Sequence, residues 1–121
     1  MNNVAKRLLI VDDDPRFRDL MKQLLEGAAE FEVVGEAHRG SSALSAAREL
    51  DPDVVLLDVN LPDTTGFELA PQLASATRSP AVVLTSSRGD EAYERLALEA
   101  GASGFVPKHD LSAAAITRAL G

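Results

Sequence analysis

Five polar residues stand directly after short apolar runs of this chain. They are Asp12 and Asp13 after run 8–11, Asp58 after run 54–57, Thr85 after run 82–84 and Lys108 after run 105–107. If these runs are parallel strands of one sheet, their carboxyl ends share the edge at which open α/β sheets bind ligands. Three carboxylates, one hydroxyl and one ammonium group would then meet in a single cleft. This set of groups predicts phosphoryl-transfer chemistry.

The three aspartates predict a site for a hard divalent cation. The adjacent carboxylates of Asp12 and Asp13 repel each other, and Asp58 makes the cluster more costly unless a cation compensates it. Oxygen ligands without a nearby histidine or cysteine favour Mg²⁺, which also binds phosphate oxygens. Lys108 would add a positive charge and Thr85 a hydrogen-bond donor for a phosphoryl oxygen. A carboxylate beside such a metal can attack phosphorus and form an aspartyl-phosphate.

Composition limits the class of protein. The chain has 121 residues, of which 45% are hydrophobic and 26% charged, so we expect one globular domain. Its net charge of −7 argues against binding a nucleic acid or an anionic membrane directly. The absence of cysteine excludes disulfides and thiol chemistry. No apolar stretch approaches the roughly 20 residues that span a bilayer, so we expect a cytoplasmic location.

The order of apolar runs and helical patterns predicts the fold class. Short apolar runs alternate with helical patterns along the whole chain, as in βαβ units around a parallel sheet. Runs 8–11, 54–57 and 82–84 are continuously apolar, which indicates strands covered by helices on both faces. The more polar run 31–37 predicts an edge strand. Right-handed crossovers would then give a three-layer α/β sandwich.

The helical segments carry recognisable ends and faces. Asp14 before Pro15 predicts an N-cap followed by a proline at the first helical position, and Gly27 lies near the end of this helix. Further helices are predicted at about 41–50, 67–75, 90–100 and 112–121, and the fifth strand is predicted at 105–108. The apolar stripe of the first helix is the clearest. It consists of Phe17, Leu20, Met21, Leu24, Leu25 and Ala28.

Several polar residues have simpler interpretations than catalysis. A single aspartate at a strand end often caps a helix, and we interpret Asp14 in this way. Arg16 and Arg18 are interpreted as a solvated helix face near the mouth of the cleft. His38 and His109 have no ligand-like spacing and are interpreted as surface residues. What favours a functional site is the coincidence of complementary groups at four strand ends.

At these strand ends the chain resembles, over essentially its full length, the receiver domain of two-component response regulators. The matching segments are 9–15, 58–62 with Gly66, 84–86 and 100–108. All four occur in order, and together they are specific. The resemblance is to receivers that precede helix-turn-helix output domains in particular. We therefore expect a flavodoxin-like, doubly wound (βα)5 sandwich with a five-stranded parallel sheet of order 2-1-3-4-5.

The resemblance implies roles for the residues of the acidic site. Asp58 would be the phosphoacceptor. Asp12, Asp13 and Asp58 would hold Mg²⁺ together with the main-chain carbonyl of Asn60, and Mn²⁺ could substitute. Asn60 and Ser87 stand at positions where the family tunes the lifetime of the phosphoryl group.

The resemblance also implies a switch. Lys108 would pair with the acceptor carboxylate and then with the phosphoryl group. Thr85 would be the hydroxyl that moves to a phosphoryl oxygen, and Phe105 the aromatic residue that turns inward with it. The fourth helix, fifth strand and fifth helix would form the output surface. Many members have a cis proline directly after the lysine, where this chain has His109, so the geometry of that peptide bond stays open.

The function that we expect is a signalling switch rather than an enzyme. Residues 1–121 would form one receiver domain without an output domain in the chain. It would take a phosphoryl group from a histidine kinase or a histidine phosphotransfer protein, dephosphorylate itself, and control an effector domain or output protein, with homodimerisation as one route.

Two alternatives are kept open. One is a pseudo-receiver that switches through protein contacts without phosphate. The other is a phosphatase of the haloacid-dehalogenase type, in which Asp12 would be the nucleophile, with Thr85 and Lys108 as its later motifs.

Overall fold

Five parallel strands form one sheet in the computed structural model of this protein, which describes residues 4–76, 78–88 and 91–121. The strands are β1 (Lys6–Val11), β2 (Phe31–Ala37), β3 (Val54–Asp58), β4 (Ala81–Ser86) and β5 (Gly104–Pro107). Their order across the sheet is β2-β1-β3-β4-β5. The predicted flavodoxin-like topology is therefore confirmed, and the polar strand β2 lies at an edge of the sheet.

Helices connect these strands as the alternating pattern predicted. They are α1 (Pro15–Glu26), α2 (Gly40–Leu50), α3 (Gly66–Ala76), α4 (Glu91–Glu99) and α5 (Ala113–Leu120). The predicted start of the fourth helix at Asp90 lies outside the described residues. Lys108 was predicted to end the fifth strand, but it opens a 3₁₀ turn, Lys108–Asp110. Within the described ranges, no helix has both the length and the apolar character needed to cross a bilayer.

The sheet has a hydrophobic core on each face. Because side chains alternate along a strand, β1 sends Leu9 and Val11 to one face and Leu8 and Ile10 to the other. Helices α2, α3 and α4 cover the first core, and α1 and α5 cover the second. This arrangement confirms the three-layer sandwich. It also explains why β1, β3 and β4 are continuously apolar.

Helix α1 buries a narrower face than its apolar stripe predicted. Met21 and Leu25 are fully buried, whereas Leu20 and Leu24 are 57% and 39% exposed. The stripe was wider than the single sheet face against which the helix packs, so its outer residues face solvent. Asp14 does cap this helix, since its carboxylate accepts a hydrogen bond from the Arg16 N–H.

The register of the strands brings the predicted polar residues to one edge. Asp58 lies beside Thr85 across the β3–β4 pair. Val11 lies beside Leu57, so that Asp12 follows β1 next to the end of β3. The close approach of α3 to this edge requires a glycine. A Cβ atom on Gly66 would lie 2.7 Å from the main-chain oxygen of Asp58 and 2.7 Å from Cδ2 of Leu84.

We predict that Gly66→Ala lowers the free energy of unfolding by about 1–3 kcal/mol, because the added methyl group forces the backbone at Asp58 to shift. Gly27→Ala is the matched control, since a Cβ atom there meets nothing within 4 Å. It should leave stability unchanged or raise it by about 0.4–1 kcal/mol. Urea denaturation measures both variants. Equal losses in the two would contradict the packing argument.

Candidate functional site

A cleft of about 590 Å³ opens at the carboxyl ends of the strands. It collects residues from the ends of β1, β3 and β4 and from the turn after β5. The residues that line it are Asp12, Asp13, Asp14, Asp58, Asn60, Leu61, Pro62, Ser87 and Lys108. Four of the five residues predicted to meet in one cleft are therefore brought together.

Three carboxylates meet at the base of this cleft. Asp12, Asp13 and Asp58 each offer an oxygen that lies within 4.8 Å of the others. Asp12 and Asp58 are buried, and Asp13 is exposed. Carboxylates at this spacing disfavour one another's ionised form unless positive charge is nearby.

Lys108 provides positive charge from the other end of the chain. Its Nζ lies 2.7 Å from Oδ2 of Asp12 and 3.4 Å from Oδ2 of Asp58. Burial works against the charge of Lys108, but the carboxylates of Asp12 and Asp58 outweigh burial and raise the pKa of its ammonium group. One ammonium group cannot neutralise three carboxylates, so the site retains negative charge.

Burial makes Asp58 an unusual carboxylate. Burial, followed by the charge of Asp12, raises the pKa of Asp58 from 3.8 to about 6. The Lys108 charge and the Asn60 N–H, which donates to Oδ1 of Asp58 at 3.2 Å, act in the opposite direction. The metal-free site therefore opposes full ionisation of Asp58.

The donor set fits a hard divalent cation. Asp12 uses Oδ1 to accept from the Asp14 N–H at 2.8 Å. Its buried Oδ2 has no hydrogen-bond partner among the described residues, although the Lys108 ammonium lies beside it without hydrogen-bond geometry. This oxygen and the carboxylates of Asp13 and Asp58 are oxygen ligands of the kind that Mg²⁺ takes in proteins. Asn60 also lines the cleft.

The loop that carries Asn60 is tied to helix α2. The carboxylate of Asp63 accepts hydrogen bonds from the Gly40 N–H at 2.8 Å and the Ser41 N–H at 3.1 Å. It thereby caps α2, whose own N-cap residue, Arg39, makes no side-chain cap bond. The Gly40 N–H, with the Ser41 N–H, holds the pKa of Asp63 below its usual value. Sequence reasoning missed this contact because it joins residues more than 20 positions apart.

The Thr85 hydroxyl does not share the cleft with the charged groups. Thr85 is buried, and its Oγ1 donates to the main-chain oxygen of Val106 at 2.6 Å. The prediction that this hydroxyl meets the charged groups directly is therefore wrong for this conformation. Ser87, two residues later, lines the cleft instead. Side chains two positions apart leave a strand on the same side, but only the later one extends past the edge of the sheet.

Phe105 belongs to a row of aromatic residues that the sequence did not reveal. Its ring meets Tyr93 of α4 edge-to-face at 5.7 Å, and Tyr93 meets Phe67 of α3 in the same way at 5.6 Å. Edge-to-face pairs at this distance are attractive beyond the apolar area that they bury. The row joins β5 to α4 and α3.

Two residues of α1 also reach the site unexpectedly. The Phe17 ring lies 4.1 Å from Nζ of Lys108, a cation–π contact. Arg18 was interpreted as solvated, yet its side chain is only 17% exposed and it donates to the main-chain oxygen of Asp12. Arg16 is 91% exposed, as predicted. The sequence could have predicted both contacts, because α1 begins directly after the acidic pair and its first turn must therefore lie near the site.

His38 and His109 are exposed, as predicted. The described residues contain no cis peptide bond, so the Lys108–His109 bond is trans.

The family model of the response regulator receiver domain matches residues 8–120. The chain belongs to this family. The family match favours the receiver over the alternative of a phosphatase that uses Asp12. It agrees with the resemblance on which the switch was predicted.

Individual receivers support the same assignment. The chain is 36% identical over 107 residues to the nitrate/nitrite response regulator NarL of Escherichia coli, covering 88% of this chain but 50% of that protein. It is 33% identical over 105 residues to the chemotaxis protein CheY of Halobacterium salinarum, covering 87% and 86%. The signal receiver domain of the response regulator NarL from Mycobacterium tuberculosis superposes with a TM-score of 0.83 at 33% identity, covering 97% and 98%. This receiver thus spans about half of one relative and most of another.

The raised pKa of Asp58 predicts a pH-dependent stability. The folded receiver holds the Asp58 proton more tightly than the unfolded chain does. Below about pH 3.8 Asp58 is protonated in both states, so its ionisation does not lower the free energy of unfolding. The free energy of unfolding falls as the pH rises from 3.8 to about 6, and the full loss is reached above about pH 6. In EDTA, Asp58→Asn should therefore stabilise the receiver at pH 7.5 by about 1–3 kcal/mol.

Thermal unfolding of both proteins at pH 4 and pH 7.5 measures this effect. The gain in stability of Asp58→Asn over the parent protein should be small at pH 4. An equal advantage at both pH values would contradict an ionisation cost at Asp58.

Proposed function

We propose that this receiver is a phosphorylation switch in which Asp58 accepts a phosphoryl group from a phosphohistidine of a sensor histidine kinase or a histidine phosphotransfer protein. The proposal rests on one observation above the others. Asp58 is a buried carboxylate at an open cleft, with Asp12 and Asp13 oxygens within 4.8 Å and the Lys108 ammonium at 3.4 Å. Such a site places a carboxylate nucleophile beside the groups that would stabilise an incoming phosphoryl group.

The cofactor that we propose is Mg²⁺, for which Mn²⁺ could substitute. Asp12, Asp13, Asp58 and the main-chain carbonyl of Asn60 would hold it. When bound, it supplies positive charge that lets the carboxylates coexist with phosphoryl oxygens. Removal of the cation tests this proposal. We expect EDTA to abolish phosphorylation of the parent protein.

The transfer uses the groups of this chain in a simple order. An oxygen of Asp58 forms a bond to phosphorus while the phosphorus–nitrogen bond to the donor histidine breaks. The released imidazole keeps the bonding electrons and gains a proton from water. Lys108, which contacts Oδ2 of Asp58 before transfer, then pairs with a phosphoryl oxygen. Later attack by water on phosphorus returns the Asp58 carboxylate and inorganic phosphate.

The switch would follow from a change of partner at Thr85. Its hydroxyl donates to the Val106 oxygen here and would turn to a phosphoryl oxygen on Asp58. Phe105 would then move inward, and its contact with Tyr93 would carry the change to α4. Phosphorylation acts by favouring one of two packings of α4, β5 and α5.

The partners follow from the same assignment. The exposed Leu20 and Leu24 of α1 and the loops around the cleft would dock the phosphodonor protein. The surface of α4, β5 and α5 would contact an effector domain or output protein, or a second copy of the chain. This receiver domain would act in the cytoplasm, without itself binding nucleic acid or membrane.

We predict that the parent protein gains one phosphoryl group when it is incubated with Mg²⁺ and acetyl phosphate, and that Asp58→Asn gains none. Intact-mass spectrometry measures the addition. Addition to both proteins would place the nucleophile elsewhere, with Asp12 the first candidate. Addition to neither would favour a pseudo-receiver that switches through protein contacts.

We predict that Thr85→Val separates phosphorylation from switching. The valine keeps the shape of threonine but has no hydroxyl to offer, so Asp58 should still gain the phosphoryl group while the amide resonances of Phe105 and Tyr93 respond less than in the parent. Mass spectrometry and NMR measure the two effects. Thr117→Val is the control, because the Thr117 hydroxyl is exposed on α5. A full response of the resonances in Thr85→Val would contradict the proposed path.

A further inference from the structure

Arg18 connects the acidic cleft to strand β2. Its Nη1 donates to the main-chain oxygen of Asp12 at 2.7 Å, and its Nε donates to Oε1 of Glu36 at 2.7 Å. A guanidinium group presents its donors in a rigid plane, so two acceptors bound at once fix its position. With 17% of its side chain exposed, Arg18 is held against the protein rather than extended into solvent.

Hydrogen bonds hold three of the four polar atoms of Asp12. Its N–H donates to the Ala37 oxygen at 3.1 Å, and its main-chain oxygen accepts from Arg18. Its Oδ1 accepts from the Asp14 N–H. The fourth atom, the buried Oδ2, has no hydrogen-bond partner in the described part of the chain, but it forms an ion pair with the Lys108 ammonium at 2.7 Å in the cleft. The hydrogen bonds to the backbone and to Oδ1 of Asp12 therefore set, together with the Lys108 ion pair, where Oδ2 lies.

Glu36 anchors Arg18 in turn. Its Oε2 accepts from the Lys22 ammonium at 2.6 Å while its Oε1 accepts from Arg18. Hydrogen bonds from Lys22 and then from Arg18 hold the pKa of Glu36 below its usual value. Arg18 and Lys22 are one helical turn apart, so both reach the same carboxylate on β2.

We propose that Arg18 is a positioning residue for the cation site: by binding the main-chain oxygen of Asp12 it fixes the Oδ2 atom of Asp12 in the cleft, and Glu36 acts through Arg18. The inference rests on the proposed function, because it takes Mg²⁺ as the cation. Arg18 touches neither the cation nor the phosphoryl group in this assignment. Loss of a group that orients a metal ligand typically weakens metal binding by about 10- to 100-fold.

The sign of the effect separates positioning from two simpler roles. Arg18 is a cation near an acidic site, so a purely electrostatic role predicts that its removal strengthens Mg²⁺ binding. A purely structural role predicts a lower melting temperature with unchanged Mg²⁺ affinity. Positioning predicts weaker Mg²⁺ binding although a positive charge has been removed.

The experiment measures the Kd of the metal-free protein for Mg²⁺ by isothermal titration calorimetry at constant ionic strength. Arg18→Ala should raise the Kd about tenfold. Arg18→Lys keeps the charge but loses the planar fork, so it should also raise the Kd. Arg16→Ala is the matched control: it removes the same charge from an exposed side chain of the same helix, and its Kd should stay within about twofold of the parent.

A double-variant cycle tests the role of Glu36. Glu36→Gln should raise the Kd less than Arg18→Ala, because Arg18 loses an anchor but keeps its bond to Asp12. In the Arg18→Ala background, Glu36→Gln should add nothing, as expected for residues that act in series. Independent, additive effects would overturn the claim that Glu36 acts through Arg18.

The outcomes distinguish the inference from the proposed function. If the parent protein binds no Mg²⁺ at millimolar concentration, the proposed cofactor is wrong and the inference fails with it. If the parent binds Mg²⁺ and Arg18→Ala leaves the Kd unchanged or lowers it, the inference alone is overturned. If Arg18→Ala does not fold, the Kd of Arg18→Lys for Mg²⁺ is the test. An unchanged Kd in Arg18→Lys would overturn the positioning role.

Discussion

The repulsion among three carboxylates at the carboxyl end of the sheet is the constraint on which the rest of this structure depends. Asp12 and Asp58 are buried at this end, and the Lys108 ammonium is the cation that contacts both. Placing like charges together in a protein interior is unfavourable. The two hydrophobic cores must therefore hold the strand ends in place against this repulsion. The outcome is a site that is poised to bind a cation.

The charged groups are held by contacts outside the cleft. Asp63 ties the loop after β3 to the first turn of α2, and Asp14 begins α1 directly after the acidic pair. Arg18 links Asp12, directly after β1, to Glu36 of β2 through a main-chain and a side-chain acceptor. None of these groups needs to move for the carboxylates to face the cleft. Such preorganisation reduces the reorganisation that cation binding or phosphoryl transfer would require.

Packed groups connect the cleft with the face of the sheet that α3 and α4 cover. Thr85 lies beside Asp58 in register and binds the backbone of β5 through its hydroxyl. The aromatic row from Phe105 through Tyr93 to Phe67 then spans β5, α4 and α3. In the proposed function the Thr85 hydroxyl would exchange the Val106 oxygen for a phosphoryl oxygen and the rings would repack, and elements with two such arrangements can be bistable. This is the physical content of a switch in a receiver.

The sequence by itself determined the class of fold and most of the charged site. Continuous apolar runs at β1, β3 and β4 implied a sheet covered on both faces, and the aspartates and Lys108 stood where those runs end. Local patterns suffice here because the period of a strand and the ends of a strand are properties of neighbouring residues. The cap at Asp14 was predictable for the same reason.

Only the tertiary structure decided which face of α1 is buried, where the Thr85 hydroxyl points and which distant groups support the site. Leu20 and Met21 are both apolar and both belong to the stripe that the sequence shows, but of the two only Met21 is buried against the sheet. Arg18 and Glu36 are 18 residues apart, and Asp63 and Gly40 are 23 apart. Such contacts depend on strand register and helix rotation. Those are fixed by packing of the whole domain, which no local pattern contains.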